Sequence, residues 1–175
     1  MSVVTLEEAK TFFRLSPRIG ALADAHVQQC LDLSERWIAR ETSSSFEYGI
    51  QKESFPGNLL YIAPHFGPVS QIISIYDSTK GRVLEEDEYE FVEDGDRIYA
   101  KTYCGNRVRW PNGYDRYTVM YYGGYTGDDG DRPFPGGLKL PILVLARHLY
   151  IEGTVLGMLT EEFYDMIRDF KLRGV

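Results

Sequence analysis

Cysteine is nearly absent from this 175-residue sequence: Cys30 and Cys104 are the only two, too few for a disulfide framework and not spaced as metal ligands. Both are expected as free thiols in a reducing cytoplasm. Long apolar runs are lacking too. The longest, Leu140 to Ala146, stops at Arg147 and His148, whereas a bilayer span needs roughly 20 apolar residues, so no membrane helix is expected. The opening MSVVTLEEAKTFF has acids where an export signal carries lysines, and no export is expected. Positive charge is in deficit: 19 Lys and Arg against 26 Asp and Glu leave a formal charge of −7. That balance argues against gripping a nucleic-acid backbone, because such binding is dominated by cations that neutralise phosphates.

Catalytic motifs are equally scarce. There is no GxSxG elbow, no GxxxxGK[ST] phosphate loop and no HExxH, and the pair Gly123-Gly124 is not followed at once by a helix. His26, His65 and His148 lie far apart in sequence and each reads as a surface or core histidine rather than a ligand. Asp128, Asp129 and Asp131 surround Gly130, but a calcium loop wants acids at alternate positions and a glutamate six residues after its glycine, where Gly136 stands. The better reading is a solvated, self-repelling loop. The same holds for Glu85, Glu86, Asp87 and Glu88, since acid/base pairs need one carboxyl desolvated and four adjacent acids between strands form a wet turn. No catalytic residue, metal or cofactor is predicted, and the protein is read as not an enzyme.

What is present is a core and an order of elements. At 43% hydrophobic the chain can build one proper core, so residues 1–175 are expected as a single α+β domain. Thr5 and Glu8 have capping-box spacing ahead of a helix near 6–13. Ile19, Leu22, Ala23, His26, Cys30, Leu33, Trp37 and Ile38 keep close to a helical period and predict a second helix over 18–40, with Pro17 in its first turn. After the ThrSerSerSer run at 42–45 the character changes. Alternation at Phe46, Tyr48 and Ile50, apolar runs at 59–62, 71–76, 89–92 and 97–103, and frequent Pro and Gly predict a β-rich insertion of several short antiparallel strands over 46–122. Asp94-Gly95 is a candidate two-residue hairpin turn.

In YTVMYYGG, Tyr117, Val119 and Tyr121 alternate with Thr118, Met120 and Tyr122, as a strand requires. The Gly- and Pro-rich run that follows forces the chain out of the sheet. Residues 138–152 are apolar nearly all round, which predicts a buried helix capped by Gly153. Thr160 can cap a last helix near 161–171, with Phe163, Ile167 and Phe170 on one face, Glu161 and Glu162 at its positive end and Lys171 and Arg173 at its negative end.

Tyrosine is in excess, 13 in a chain that is 14% aromatic. The cluster Tyr114, Tyr117, Tyr121, Tyr122 and Tyr125 suits an interface, apolar on one side and wet on the other. Plain strand propensity explains any single one of them equally well.

The order of pieces is more specific than any one of them. The capped helix VTLEEAKTFFRL, the helix ending in Trp37-Ile38, the β insertion, the strand YTVMYYGGY, the loop ending at Pro135, and LKLPILVLARHLY together resemble the head-tail connector proteins of tailed phages, also called adaptor or head-completion proteins. The resemblance implies a helical bundle bearing a β insertion, assembled in a virion neck as a ring, usually of about twelve copies (a heterologous, closed assembly). Such a ring sits beneath the portal protein, extends the DNA channel without sequence-specific binding, and offers a docking surface to a tail-side connector or tail-completion protein. It would be assembled in the host cytoplasm. On that resemblance Phe163, Tyr164, Ile167 and Phe170 are candidate portal contacts. The β unit and the bundle are assigned ring contacts, with Tyr114, Tyr117, Tyr122 and Tyr125 as candidates. Loops 77–88 and 124–135 are candidates for the lumen or tail side. A longer β insertion than in short relatives, and Ile151-Glu152-Gly153 after Tyr150, depart from the pattern. Two other readings stay open: a cytoplasmic ligand-binding β domain with helical flanks, and a small enzyme that pairs acids with His65 or His148.

Overall fold

The computed structural model describes residues 3–16, 20–126, 133–154 and 160–170. They fall into two compact units, one drawn from Met1–Thr42 and Pro133–Lys171, the other from Ser43–Arg132. The fold class is α+β, with four helices and two antiparallel sheets among the described residues.

In the helical unit, α1 (Leu6–Phe13) starts at the predicted capping box: Thr5 Oγ1 accepts from the Glu8 N–H while the Glu8 carboxylate accepts from the Thr5 N–H. Helix α2 (Ala21–Glu41) follows Gly20, and the predicted start at residues 17–19 lies outside the described residues. Val27, Leu31 and Ile38 form its buried stripe. Helix α3 (Lys139–Glu152) contributes Ile142, Leu145 and Ala146 to the same core, each fully buried, a burial worth about 1.5–3 kcal/mol for each large side chain. Gly153 ends it in the left-handed conformation, its N–H donating to the Leu149 carbonyl. The expectation that α3 is buried all round is corrected: Leu140 is 50% exposed and Ile151 is exposed as well. Only one stripe of a helix finds partners in a small bundle, however apolar the rest.

Helix α4 (Glu161–Arg168) is capped by Thr160, whose hydroxyl accepts from the Phe163 N–H. Lys171 and Arg173, expected at its end, lie outside the described residues. Lys10, only 6% exposed, is held by Asp24 at 2.7 Å; that ion pair raises its pKa.

The second unit is a sandwich. Strands β1 (Gly49–Phe55), β2 (Val69–Asp77), β3 (Arg82–Val83) and β7 (Tyr117–Gly123) form a sheet in the order β1-β7-β2-β3. Strands β4 (Tyr89–Val92), β5 (Arg97–Lys101) and β6 (Arg107–Val108) form the other. Inward-facing Phe55, Ile75, Tyr117, Val119 and Tyr121 of the larger sheet share one core with Ile98 and Ala100 of the smaller, and Trp110 closes it. Trp110 meets Tyr117 edge-on at 4.6 Å and donates its indole N–H to the Ile98 carbonyl at 3.1 Å.

Three strand expectations are corrected. Leu59 to Ile62 is not a strand but a connection with one bridge, Ile62 to Ile98, because its neighbouring backbone groups bond Trp110 instead. Phe46 and Tyr48 precede β1 rather than belong to it. Asp94-Gly95 sits in the β4–β5 hairpin, yet Val92 pairs with Arg97, so the loop has four residues, with positive φ at Gly95 and Asp96.

Candidate functional site

Alternation along β7 divides the larger sheet into two faces. Thr118, Met120 and Tyr122 point outward, and their register partners on β1 (Ser54, Lys52 and Ile50) and β2 (Tyr76, Ser74 and Gln71) share that face. An antiparallel sheet with one face on a core usually turns polar residues to water. Here that face is mixed: among Lys52, Ser54, Gln71, Ser74 and Thr118, Ile50 is 58% exposed, and Ile73, Tyr76 and Val83 are exposed as well. Tyr48 stacks on Tyr122 with centroids 5.7 Å apart and planes at 10°. Ile50, Ile73, Val83, Met120 and Tyr122 line a shallow groove of about 560 Å³, whose charged lining residues are Glu85 and Glu86.

The outer face of the smaller sheet has the opposite character. Ile98 and Ala100 of β5 point inward, so Arg97, Tyr99 and Lys101 point out, and Arg107 pairs with Lys101 across β6. A row of four contacting side chains runs Arg97, Tyr61, Tyr99, Arg107, with the two tyrosine rings tilted at 54°. Arg97 Cζ lies 4.8 Å from the Tyr61 ring centroid, Tyr61 and Tyr99 are 5.8 Å apart, and Arg107 Cζ is 4.2 Å from Tyr99. Arg107 also grips Glu90 with two hydrogen bonds of 2.7 and 2.9 Å, which raises the guanidinium pKa and lowers that of the carboxyl.

The four candidate ring tyrosines do not form one patch. Tyr114 is 91% exposed, and Tyr122 lies in the groove. Tyr125 is half-buried beside Phe46 at 6.4 Å. Tyr117 is corrected from surface to core: it is 1% exposed, donates to the Pro111 carbonyl at 3.2 Å, and burial pushes its phenol up to about 12. The groove residues Ile50, Ile73 and Val83 were missed as a set. Only Ile50 belongs to an alternation legible in the sequence; Ile73 sits at a register shift of β2 and Val83 in a two-residue strand.

Two of the candidate portal contacts are corrected likewise. Phe163 and Ile167 are buried in the helical unit, Phe163 against Trp37 at 5.7 Å. Tyr164, 6.2 Å from Trp37, and Phe170 are half-buried. The exposed side of α4 and its end carries Glu161, Glu162, Asp165, Arg168 and Asp169.

Titratable clusters read as fasteners. Glu53 accepts from the Tyr121 hydroxyl, from the His65 N–H at 3.0 Å and from His65 Nδ1 at 2.5 Å, and Tyr121 in turn accepts from the Phe66 N–H. Burial, then the Glu53 contact, raises the Tyr121 pKa. These bonds pin residues 65–66 onto β1 and β7, with both Glu53 oxygens occupied. His148 is half-buried and its Nε2 has no hydrogen-bond partner, and His26 lies 5.1 Å from Tyr150. No group of three metal-ligating side chains occurs among the described residues. Asp77 is buried; burial pushes its carboxyl up, but Arg116 at 2.8 Å and the N–H groups of Thr79 and Lys80 outweigh that and lower it. This fixes the turn after β2 in the 77–88 loop. Most of the other loop, 127–132, including Asp128, Asp129 and Asp131, lies outside the described residues.

No protein-family model matches the chain, and no curated protein matches it. Solved structures do. A chain of the virion of the native gene transfer agent (GTA) particle aligns with a TM-score of 0.67 at 16% identity, covering 98% of this chain and 91% of that one. A chain of the neck of the empty GTA particle, computed with C6 symmetry, gives 0.66 at 16% identity with the same coverage. A chain of the neck of the native GTA particle, computed with C12 symmetry, gives 0.61 at 15% identity and covers 100% and 96%. Over almost its whole length, this α+β chain shares its fold with chains from the virion and neck of gene transfer agent particles.

Proposed function

We propose that the protein is a non-enzymatic structural component of the neck of a tailed phage, prophage or related particle. It assembles with copies of itself into a ring of about twelve, sits beneath the portal, extends the DNA channel and gives the tail a surface to dock on. Residues 1–175 act as one domain, with the middle β unit as an insertion devoted to assembly.

The observation that carries this reading is coverage: chains of a particle's virion and neck match at least 98% of this chain and at least 91% of their own length. Charge supports it. A formal −7 gives a duplex moving through the lumen repulsion rather than grip. On the portal side, Tyr164 and Phe170 with the acidic surface of α4 are the remaining candidates, Phe163 and Ile167 serving to shape that helix.

The test is electron microscopy of the purified protein mixed with portal-bearing capsids that lack tails. A ring of added density at the portal vertex is expected. A stable small dimer that ignores those capsids overturns the reading.

A further inference from the structure

A closed ring of identical chains needs two different patches on each copy, placed so that the front of one meets the back of the next. The β unit has such a pair. Its two sheets turn their inner faces to a shared core, so their outer faces point in opposite directions. One exposes Ile50, Ile73 and Val83 among polar residues, with the acids Glu85 and Glu86 in its groove; the other is basic and aromatic, with Arg97, Tyr99, Lys101 and Arg107.

We propose that the outer face of the β1-β7-β2-β3 sheet of one copy packs on the outer face of the β4-β5-β6 sheet of the next copy. This assignment rests on the ring reading above and names the surfaces that build it. Three observations support it. The first is exposed apolar side chains: Ile50, Ile73 and Val83 stand exposed together on one sheet face, beside Gln71 and Ser74. Second, the charges match. Glu85 and Glu86 are exposed beside that area, on a face that also carries Lys52, while Lys101 and Arg97 stand on the opposite face, and Glu90 already neutralises Arg107. The third is composition: Tyr and Arg, already packed on one another before contact, lose little side-chain freedom on docking and are the residues that dominate interface energetics. The geometry favours a second copy over a small ligand, because the groove is open and shallow rather than enclosed, and because its complement is on the same chain.

The test uses two full-length variants. Ile50→Asp with Ile73→Asp spoils the groove face; Arg97→Glu with Lys101→Glu spoils the basic face. Both alter exposed or half-exposed side chains, and unfolding midpoints close to wild type are expected. On portal-bearing capsids each variant alone is expected to assemble at least about tenfold less than wild type. Mixed in solution, the two retain one intact front and one intact back, so native mass spectrometry should find heterodimers of two copies and no rings. A charge exchange guards against misfolding of the groove variant. Glu85→Lys with Glu86→Lys should abolish assembly alone and regain it when combined with Arg97→Glu and Lys101→Glu.

Full rings from either variant alone, or no heterodimer in the mixture, overturn the face assignment while leaving the ring intact. No ring from the wild-type chain overturns the reading beneath it, and the assignment with it.

Discussion

Single positions in the β unit are fixed by backbone geometry as much as by side chains. Gly124, just past β7, has φ of +103°, and a Cβ there would stand 2.2 Å from the Glu47 carbonyl oxygen. Neither cost can relax without moving the approach to β1. Gly124→Ala should therefore lower stability by at least about 2 kcal/mol, read as a shift in urea midpoint with unchanged slope.

Glu88 is the second informative residue. Arg82, at 2.7 Å, and Lys80, at 2.6 Å, hold its carboxyl down at about 2, against an ordinary 4.5. A folded-state pKa below the unfolded one stabilises the fold above the unfolded value, and that contribution disappears as pH falls from 4.5 towards 2. Glu88→Gln should flatten this part of the stability–pH curve. The difference from wild type at neutral pH should be about 1 kcal/mol or less, because both cations are partly exposed. Denaturant titrations across that pH window check it.

At the scale of elements, α3 concentrates the stability of the helical unit in one stripe. Leu145→Ala removes a fully buried side chain and should cost about 2–5 kcal/mol. Leu140→Ser, on the half-exposed side, should change stability by about 0.5 kcal/mol or less; thermal unfolding of the two variants separates the faces.

The helix ends were legible in the sequence because caps are local chemistry: Thr5 with Glu8, Gly153 and Thr160 each act where their residue type predicts. Strands were legible where alternation ran long enough, as in β7. Two-residue strands such as β3 and β6 carry no period to read. Leu59 to Ile62 has strand composition but is committed to irregular bonds with Trp110. Which face of a strand turns inward is also hidden when both faces are aromatic. Tyr117 and Tyr122 look alike in sequence, and only the second sheet, packing over one face, makes Tyr117 core and leaves Tyr122 in the groove. The candidate site was accordingly visible as an excess of tyrosine, while its apolar partners Ile50, Ile73 and Val83 emerged from register.

For the whole molecule, the division of labour follows from where unpartnered surface remains. The helical unit buries one stripe per helix and shows an acidic side on α4. The β unit ends in two unlike faces, one with exposed isoleucine and valine beside acids, the other aromatic beside cations. Such a pair of faces is suited to repeated head-to-tail contact around an axis. The claim is most directly tested by cryo-electron microscopy of the protein assembled on portal-bearing capsids, reconstructed at the vertex without imposed symmetry. The account predicts a ring of about twelve copies in which the face bearing Ile50 and Tyr122 meets the neighbour's Arg97 and Lys101. Isolated copies scattered over the capsid, or no density beneath the portal, would contradict it.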